Sequence, residues 1–136
     1  MIVLSNSTEL TIQPGQSVPF DEIIMKTLNG AECFRNGGSS VKMCARGGIY
    51  RLSFSGNVGG TTAATPVQLQ LQVSESNLPE TIMISTPAAV GDLNNVAKET
   101  YFRTCCCDPD SVSVTNTGTE PVILGIGSSF AVSRVA

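Results

Sequence analysis

The stretch Gly47-Gly48-Ile49-Tyr50-Arg51-Leu52-Ser53-Phe54-Ser55-Gly56-Asn57 decides the fold. After a glycine pair it alternates, with Tyr50, Leu52 and Phe54 on one side and Ile49, Arg51, Ser53 and Ser55 on the other. A period of two puts alternate side chains on opposite faces of a pleated strand. Tyr, Ile and Phe also suit a half-buried sheet better than a helix. The segment reads as a central strand of an all-β sandwich.

The same signal recurs on either side. In Pro66 to Val73, Val67, Leu69, Leu71 and Val73 point to a core, and Gln68, Gln70 and Gln72 form an amide ladder opposite. Upstream, Ile2 to Ile12 reads as one or two short strands and Pro14-Gly15 as a turn. Ser17 to Thr27 reads as an extended segment with Val18, Phe20 and Ile24 as core candidates. Ala31 to Arg35 and Val41 to Ala45 flank Asn36-Gly37-Gly38-Ser39-Ser40, which predicts a hairpin. Downstream, Pro87 to Asn95 is a loop with at most one helical turn around Ala88 to Leu93. Val96 to Cys106, Val112 to Val114, Val122 to Ile126 and Phe130 to Val135 read as further strands. Eight to ten short antiparallel strands with Gly, Pro, Asn and Asp between them favour a sandwich or barrel over a βαβ fold. Gly47-Gly48 and Gly59-Gly60 read as turns needing positive φ. They are not phosphate-cradling loops, since no strand-to-helix transition follows either pair.

A length of 136 residues fits a single domain over 1–136, with residues 1–9 as an N-terminal anchoring strand or arm. Charged residues are 14% of the chain, against about 25% in an average soluble domain. The surface is therefore expected to be rich in hydroxyls and amides, with apolar area left to be buried by association. Net charge is −3 and the eight Lys and Arg residues are scattered singly, without the basic stripe of a nucleic-acid binder. There is no histidine, which excludes histidine acid–base catalysis and histidine metal ligation. With no tryptophan and few aromatics, a sugar-hydrolysing cleft is poorly supported. Met1-Ile2-Val3-Leu4-Ser5-Asn6 lacks the basic n-region of a secretory signal. No run approaches the roughly 18 apolar residues of a membrane span. Folding in a cytoplasm, without membrane insertion, is expected.

The five cysteines are the most unusual feature. Cys105, Cys106 and Cys107 are consecutive and, with Cys33 and Cys44, offer no C-x2-C pair for a structural zinc site. Cys33 and Cys44 fall at near-mirror positions across the expected hairpin, so a disulfide is one reading and reduced packing thiols the other. A catalytic cysteine lacks a histidine base. Asp108-Pro109-Asp110 can bring two carboxylates to a calcium ion in a turn. Asp and Pro are turn residues in their own right, however, and two carboxylates do not fill a coordination sphere. Asp21-Glu22 and Asp92 are the other carboxylates that raise the question of calcium. No cofactor or metal is expected. The ladder of Gln68, Gln70 and Gln72 is either a solvated sheet face or an interface near a symmetry axis.

The order of motifs carries a resemblance. Thr11 to Asp21 comes first, then Ser40-Val41-Lys42-Met43 and Gly48-Ile49-Tyr50-Arg51-Leu52-Ser53-Phe54-Ser55. Val67-Gln68-Leu69-Gln70-Leu71 and Val112-Ser113-Val114-Thr115-Asn116 follow. This order resembles the jelly-roll domain of the tumour-necrosis-factor and complement type in its bacterial and phage form, as at the C-terminus of collagen-like exosporium proteins. There a G-x-Y-x-(V/L)-x-F strand follows one of the Val41 type and a V-x-N element comes late. The chain lacks the Gly-X-Y stem of those proteins. It is also similar to small phage and prophage proteins of Gram-positive bacteria, in Arg103-Thr104-Cys105-Cys106 and in the Thr86 to Val96 loop.

The resemblance implies a homotrimer of jelly rolls with no chemistry of its own. Gln68, Gln70, Gln72, Tyr50 and Phe54 are the residues expected at the trimer interface. The expected role is a virion protein: a capsid decoration or head-fibre module that docks on capsid or fibre proteins. The distal loops Thr61 to Thr65 and Thr86 to Asn95 would meet the environment. The alternative is an adhesin that binds a host-surface glycan or protein. An enzyme is not expected.

Overall fold

The computed structural model describes residues 1–27, 32–34, 38–44, 47–104 and 110–136, with the side chains of 33 and 34 left out. In chain order the strands are β1 (Ile2–Ser5), β2 (Leu10–Ile12), β3 (Glu22–Lys26), β4 (Glu32–Phe34), β5 (Val41–Met43), β6 (Ile49–Gly60) and β7 (Val67–Val73). They continue as β8 (Ser76–Asn77), β9 (Met83–Ser85), β10 (Asn94–Arg103), β11 (Asp110–Thr115), β12 (Val122–Leu124) and β13 (Ser129–Arg134). One 3-10 turn, Pro79–Thr81, precedes β9. The count among the described residues exceeds the eight to ten expected because two long strands are each interrupted, β1 with β2 and β12 with β13, and because β8 is a two-residue strand of its own.

All pairings are antiparallel. A seven-stranded sheet runs β2-β12-β6-β13-β1-β3, with β10 on the far side of β6. A six-stranded sheet runs β4-β5-β11-β7-β8, with β9 also on β7. The two inner faces enclose one apolar core. Strand β6 is its spine, as the alternation predicts: Tyr50, Leu52 and Phe54 are at most 1% exposed. It pairs with β10 along one edge, and with β12 and β13 in succession along the other. Val67, Leu69, Leu71 and Val73 face the same core from β7. Phe20 stacks on Phe130 with centroids 5.5 Å apart and closes the side of the sandwich.

Two fully buried asparagines hold the places where the ladders break. Asn6, between β1 and β2, donates from Nδ2 to the carbonyls of Thr8 (2.8 Å) and Gly125 (2.9 Å) and accepts from Ser128 N–H (3.1 Å) and Ser128 Oγ–H. Both interrupted strands are thereby tied at one point. Asn116, the end of the V-x-N element, donates to the carbonyls of Ile12 (2.9 Å) and Glu120 (2.8 Å) and accepts from Gly118 N–H (3.0 Å). Buried backbone groups left by a strand break need such partners.

Several expectations are corrected. Residues 1–9 are no detachable arm: β1 lies between β13 and β3, and Ile2 and Leu4 are fully buried. Ile24 is not a core residue but 59% exposed. The β1–β3 register passes from Val3↔Met25 to Leu4↔Ile23, which leaves Ile24 as the extra residue of a bulge. Of the two glycine pairs only Gly47 has positive φ. Gly59 and Gly60 end β6 as strand residues and are needed for close approach, since a Cβ on Gly59 would lie 2.7 Å from the Asp92 carbonyl oxygen. Ala88 to Leu93 forms turns closed by Asp92 N–H to Ala89 O rather than a helical turn.

The β7–β8 hairpin turns through Ser74 and Glu75, at φ 48° and 69°. Two-residue hairpin loops favour positive φ, but normally with Asn, Asp or Gly. A side-chain-bearing residue in this conformation costs about 1–2 kcal/mol.

Replacing Asn116 by Ala leaves the buried Ile12 carbonyl and the half-buried Glu120 carbonyl and Gly118 N–H without their partner. At about 1–3 kcal/mol for an unsatisfied buried group, and less for the two that water reaches, Asn116→Ala is expected to lower unfolding stability by about 2–3 kcal/mol. Urea denaturation measures it, and a loss below about 1 kcal/mol would contradict the stapling role.

Candidate interaction surfaces

The residues expected at an interface do not share a surface. Tyr50 and Phe54 point into the core, so their rings are unavailable to another chain. Gln68, Gln70 and Gln72 lie on the outward face of the other sheet, and their amides are committed within the chain. Gln68 Nε2 donates to Thr117 Oγ1 (2.7 Å) and Gln72 Nε2 to Asn77 Oδ1 (2.6 Å). Gln70, only 4% exposed, donates to Leu78 O (2.9 Å) and accepts from Thr117 Oγ1 (3.0 Å). The alternation that puts these amides opposite the core was legible in the sequence. Their neighbours were not, because Thr117 and Leu78 arrive from distant segments.

The outward face of the seven-stranded sheet has a different chemistry. Register aligns Glu99, Ser53, Ala131, Val3 and Met25 in one row across five strands. Ala97, Ser55 and Ser129 make the next row, and Tyr101, Arg51 and Ser133 flank the first. The centre is built mainly of Ser and Ala, with a shallow concavity of about 270 Å³ bounded by Ser53, Ser55, Ala97 and Ser129 and by the charged Lys98 and Glu99. Larger apolar side chains rim it, notably Met25 and Tyr101, both about half exposed.

A second apolar surface lies at the open side of the sandwich. Here, among the described residues, β9 pairs only with β7, and β10 only with β6. Ile82 and Ile84 stand exposed beside a depression of about 300 Å³ between the two edges, which also borders Asn95, Ala97 and Lys98.

The two loops expected to be distal do converge. Ala64 N–H donates to Pro87 O (2.8 Å) and Gly91 N–H to Gly60 O (3.3 Å), so 61–66 and 86–93 form one end of the molecule. At the opposite end of β6, Ile49 N–H bonds to Ala136 O, and Thr27 N–H bonds to Met1 O nearby in the sheet. There Glu32, almost fully buried, accepts Arg134 N–H (3.0 Å) and sits 2.9 Å from the Met1 ammonium.

The expected carboxylate pair is not testable as such, since Asp108 lies outside the described residues. Asp110 accepts from Ser74 Oγ–H (3.0 Å) at the β7–β8 turn. Asp21 accepts from both the N–H (2.8 Å) and the hydroxyl of Ser7, and Asp92 stands in the loop end. These are separate places in the fold. Cys105, Cys106, Cys107 and the side chain of Cys33 also lie outside the described residues. The β4–β5 register sets Lys42, not Cys44, opposite Cys33. The Cys44 thiol lies 3.8 Å from the Lys42 carbonyl.

No protein-family model and no curated protein sequence matches the chain. Solved structures do. The globular domain of zebrafish complement 1qA protein superposes with a TM-score of 0.73 at 12% identity, covering 99% of this chain and 96% of that one. Murine APRIL superposes with a TM-score of 0.58 at 14% identity, covering 97% and 96%; a second structure of it gives 0.56 at 13%. The likeness is one of fold: the sandwich is a jelly roll of the complement and tumour-necrosis-factor type.

The hydrogen bonds from Ser7 hold the Asp21 carboxyl below its ordinary value of 3.8, the hydroxyl contributing most. A depressed carboxylate pKa stabilises the fold above the unfolded value and ceases to do so as pH falls through the folded one. The stability difference between the native chain and Asp21→Asn is therefore expected to be constant above about pH 5 and to shrink as pH drops below 3.8. Paired denaturant titrations across that range measure it; a difference that grows on acidification would contradict the assignment.

Proposed function

We propose that this protein is a non-enzymatic assembly module, a homotrimer of jelly rolls serving as a structural component of a phage particle. The observation that supports the assembly is that two unlike surfaces stand open on the sandwich. One is the small-residue face of the seven-stranded sheet, built around Ser53, Ser55, Ala97, Ser129 and Ala131; the other is the β9–β10 edge with Ile82 and Ile84. A face that meets an edge makes a head-to-tail contact, and such contacts form a ring when the rotation between copies closes. Exposed apolar strands are also costly to leave bare. The likeness to the tumour-necrosis-factor and complement type supplies the number three.

The virion role draws on the sequence resemblance to phage and exosporium proteins. Within it, the loop end formed by 61–66 and 86–93 faces away from the particle, and the end carrying Met1 and Ala136 faces toward it. Since β1 is an inner strand, docking on a capsid or fibre protein falls to an exposed surface rather than to a released arm. A second reading, a host-surface binding domain, is favoured by a polar concavity on the other sheet, taken up below.

Light scattering behind a sizing column is expected to give a mass near three chains. Ala131→Arg, which puts a cation at the centre of the small-residue face, is expected to give one chain with an unchanged far-ultraviolet dichroism spectrum. A native mass of one chain, or a variant that still assembles, would overturn the proposed face. Absence of the protein from purified phage particles would overturn the virion role.

A further inference from the structure

We propose that the outward face of the six-stranded sheet carries a saccharide-binding site, in a concavity of about 480 Å³ where β7 and β11 meet the segments preceding β3 and β5. Its size falls within the roughly 300–1,000 Å³ of small-ligand sites. The inference rests on the surface-binding reading and does not depend on trimer assembly, because the concavity shares no lining residue with the seven-stranded face or with the Ile82–Ile84 edge.

The floor is Gln72, Ser111 and Ser113, which point outward because Leu71, Val73, Val112 and Val114 point into the core. Ser39 and Ser40 form one wall and the Ser74–Glu75 turn another. Part of this polar lining is locked in place. Thr115 Oγ1 binds Ser17 Oγ (2.9 Å), Ser113 Oγ (3.2 Å) and Gln72 Oε1 (3.1 Å). Among the described residues, the hydroxyls of Ser39, Ser40 and Ser111 and the carboxylate of Glu75 make no hydrogen bond to the rest of the chain. The site therefore combines a fixed polar floor with hydroxyls and a carboxylate left free to bond a ligand.

Their chemistry selects the ligand class. Serine hydroxyls both donate and accept, and so match a sugar hydroxyl in either role. A carboxylate can accept from two neighbouring hydroxyls in charge-assisted bonds. Among the described residues that line the concavity Glu75 is the one charged group, which disfavours phosphates and acidic sugars; Lys42, paired with Ser111 across β5 and β11, lies outside the lining. A peptide finds no strand edge to extend, since β11 is already paired with β5 and β7. The ligand is a neutral hexose or N-acetylhexosamine. Without an aromatic platform each site binds weakly, and a trimer would compensate by presenting three.

The turn supports the same reading. Glycine at 75 would relieve the left-handed backbone but remove the carboxylate, so the chain keeps a strained residue whose side chain faces the concavity.

The test is an amide chemical-shift titration of the full chain with the methyl glycosides of glucose, galactose, N-acetylglucosamine and N-acetylgalactosamine, and with sialic acid. At least one neutral glycoside is expected to move the amides of Gln72, Ser111 and Ser113, and sialic acid none. Glu75→Gly is expected to weaken binding roughly tenfold, the worth of one charge-assisted hydrogen bond, while the melting temperature holds or rises. Ser113→Phe, which fills the concavity from a solvent-facing position, is expected to abolish binding in a folded chain. Shifts confined to 61–66 and 86–93 would overturn this site and leave the surface-binding reading standing. No shift with any neutral glycoside, or unchanged affinity in Glu75→Gly, would overturn the site outright.

Discussion

Strand β6 is hydrogen-bonded on both edges over nearly its whole length, and this is possible only because its neighbour on one side is allowed to break. The β12–β13 pair must follow a twelve-residue strand that twists and ends in two glycines, and it does so by interrupting itself at Gly125 to Ser128. The interruption leaves backbone groups in the interior that neither sheet can satisfy. Asn6 supplies those partners from the matching break between β1 and β2, so that two discontinuities become one joint. Asn116 does the same where β11 leaves the second sheet. The core aromatics depend on this arrangement, since Phe130 reaches Phe20 only if β13 is set correctly after the break.

A division of labour between the two sheets follows from the same frame. The seven-stranded sheet presents small side chains outward, because its long strands alternate large apolar residues inward with Ser and Ala outward. The six-stranded sheet presents amides and hydroxyls, already tied to one another by Thr115 and Thr117. A small-residue face rimmed by Met25 and Tyr101 gains from being covered by another copy, whereas an amide- and hydroxyl-lined one is comfortable in water and suited to a polar ligand. Low overall charge, which could have signalled either property, serves both. The loop end, tied by the bond between Ala64 and Pro87, stands clear of both sheet faces.

Position in the fold also sets what each polar group can do. Gln70 is nearly buried and fully bonded, so it stabilises; Gln72, one pleat along, stands at the edge of a concavity beside free hydroxyls. Asp21 accepts from Ser7 and Asp110 from Ser74, at separate places in the fold, so each of these two carboxylates fastens a local turn.

The sequence by itself determined the all-β class, the central strand, the inward residues of β6 and β7, and the amide ladder, because these rest on local alternation that any sheet must respect. It also placed a turn at Pro14-Gly15, where residue chemistry limits the backbone. It did not determine which strands neighbour one another, and everything that depends on neighbours was decided by the tertiary structure. That Tyr50 and Phe54 are core rather than interface follows from the second sheet covering them. That Ile24 is exposed follows from a bulge against β1. That Gly59 must be glycine follows from the approach of Asp92, a residue 33 positions away along the chain. The assembly face and the hydroxyl-lined concavity belong to the same category. Each is a row of unremarkable Ser and Ala residues from distant strands, whose common chemistry exists only once register has set them side by side.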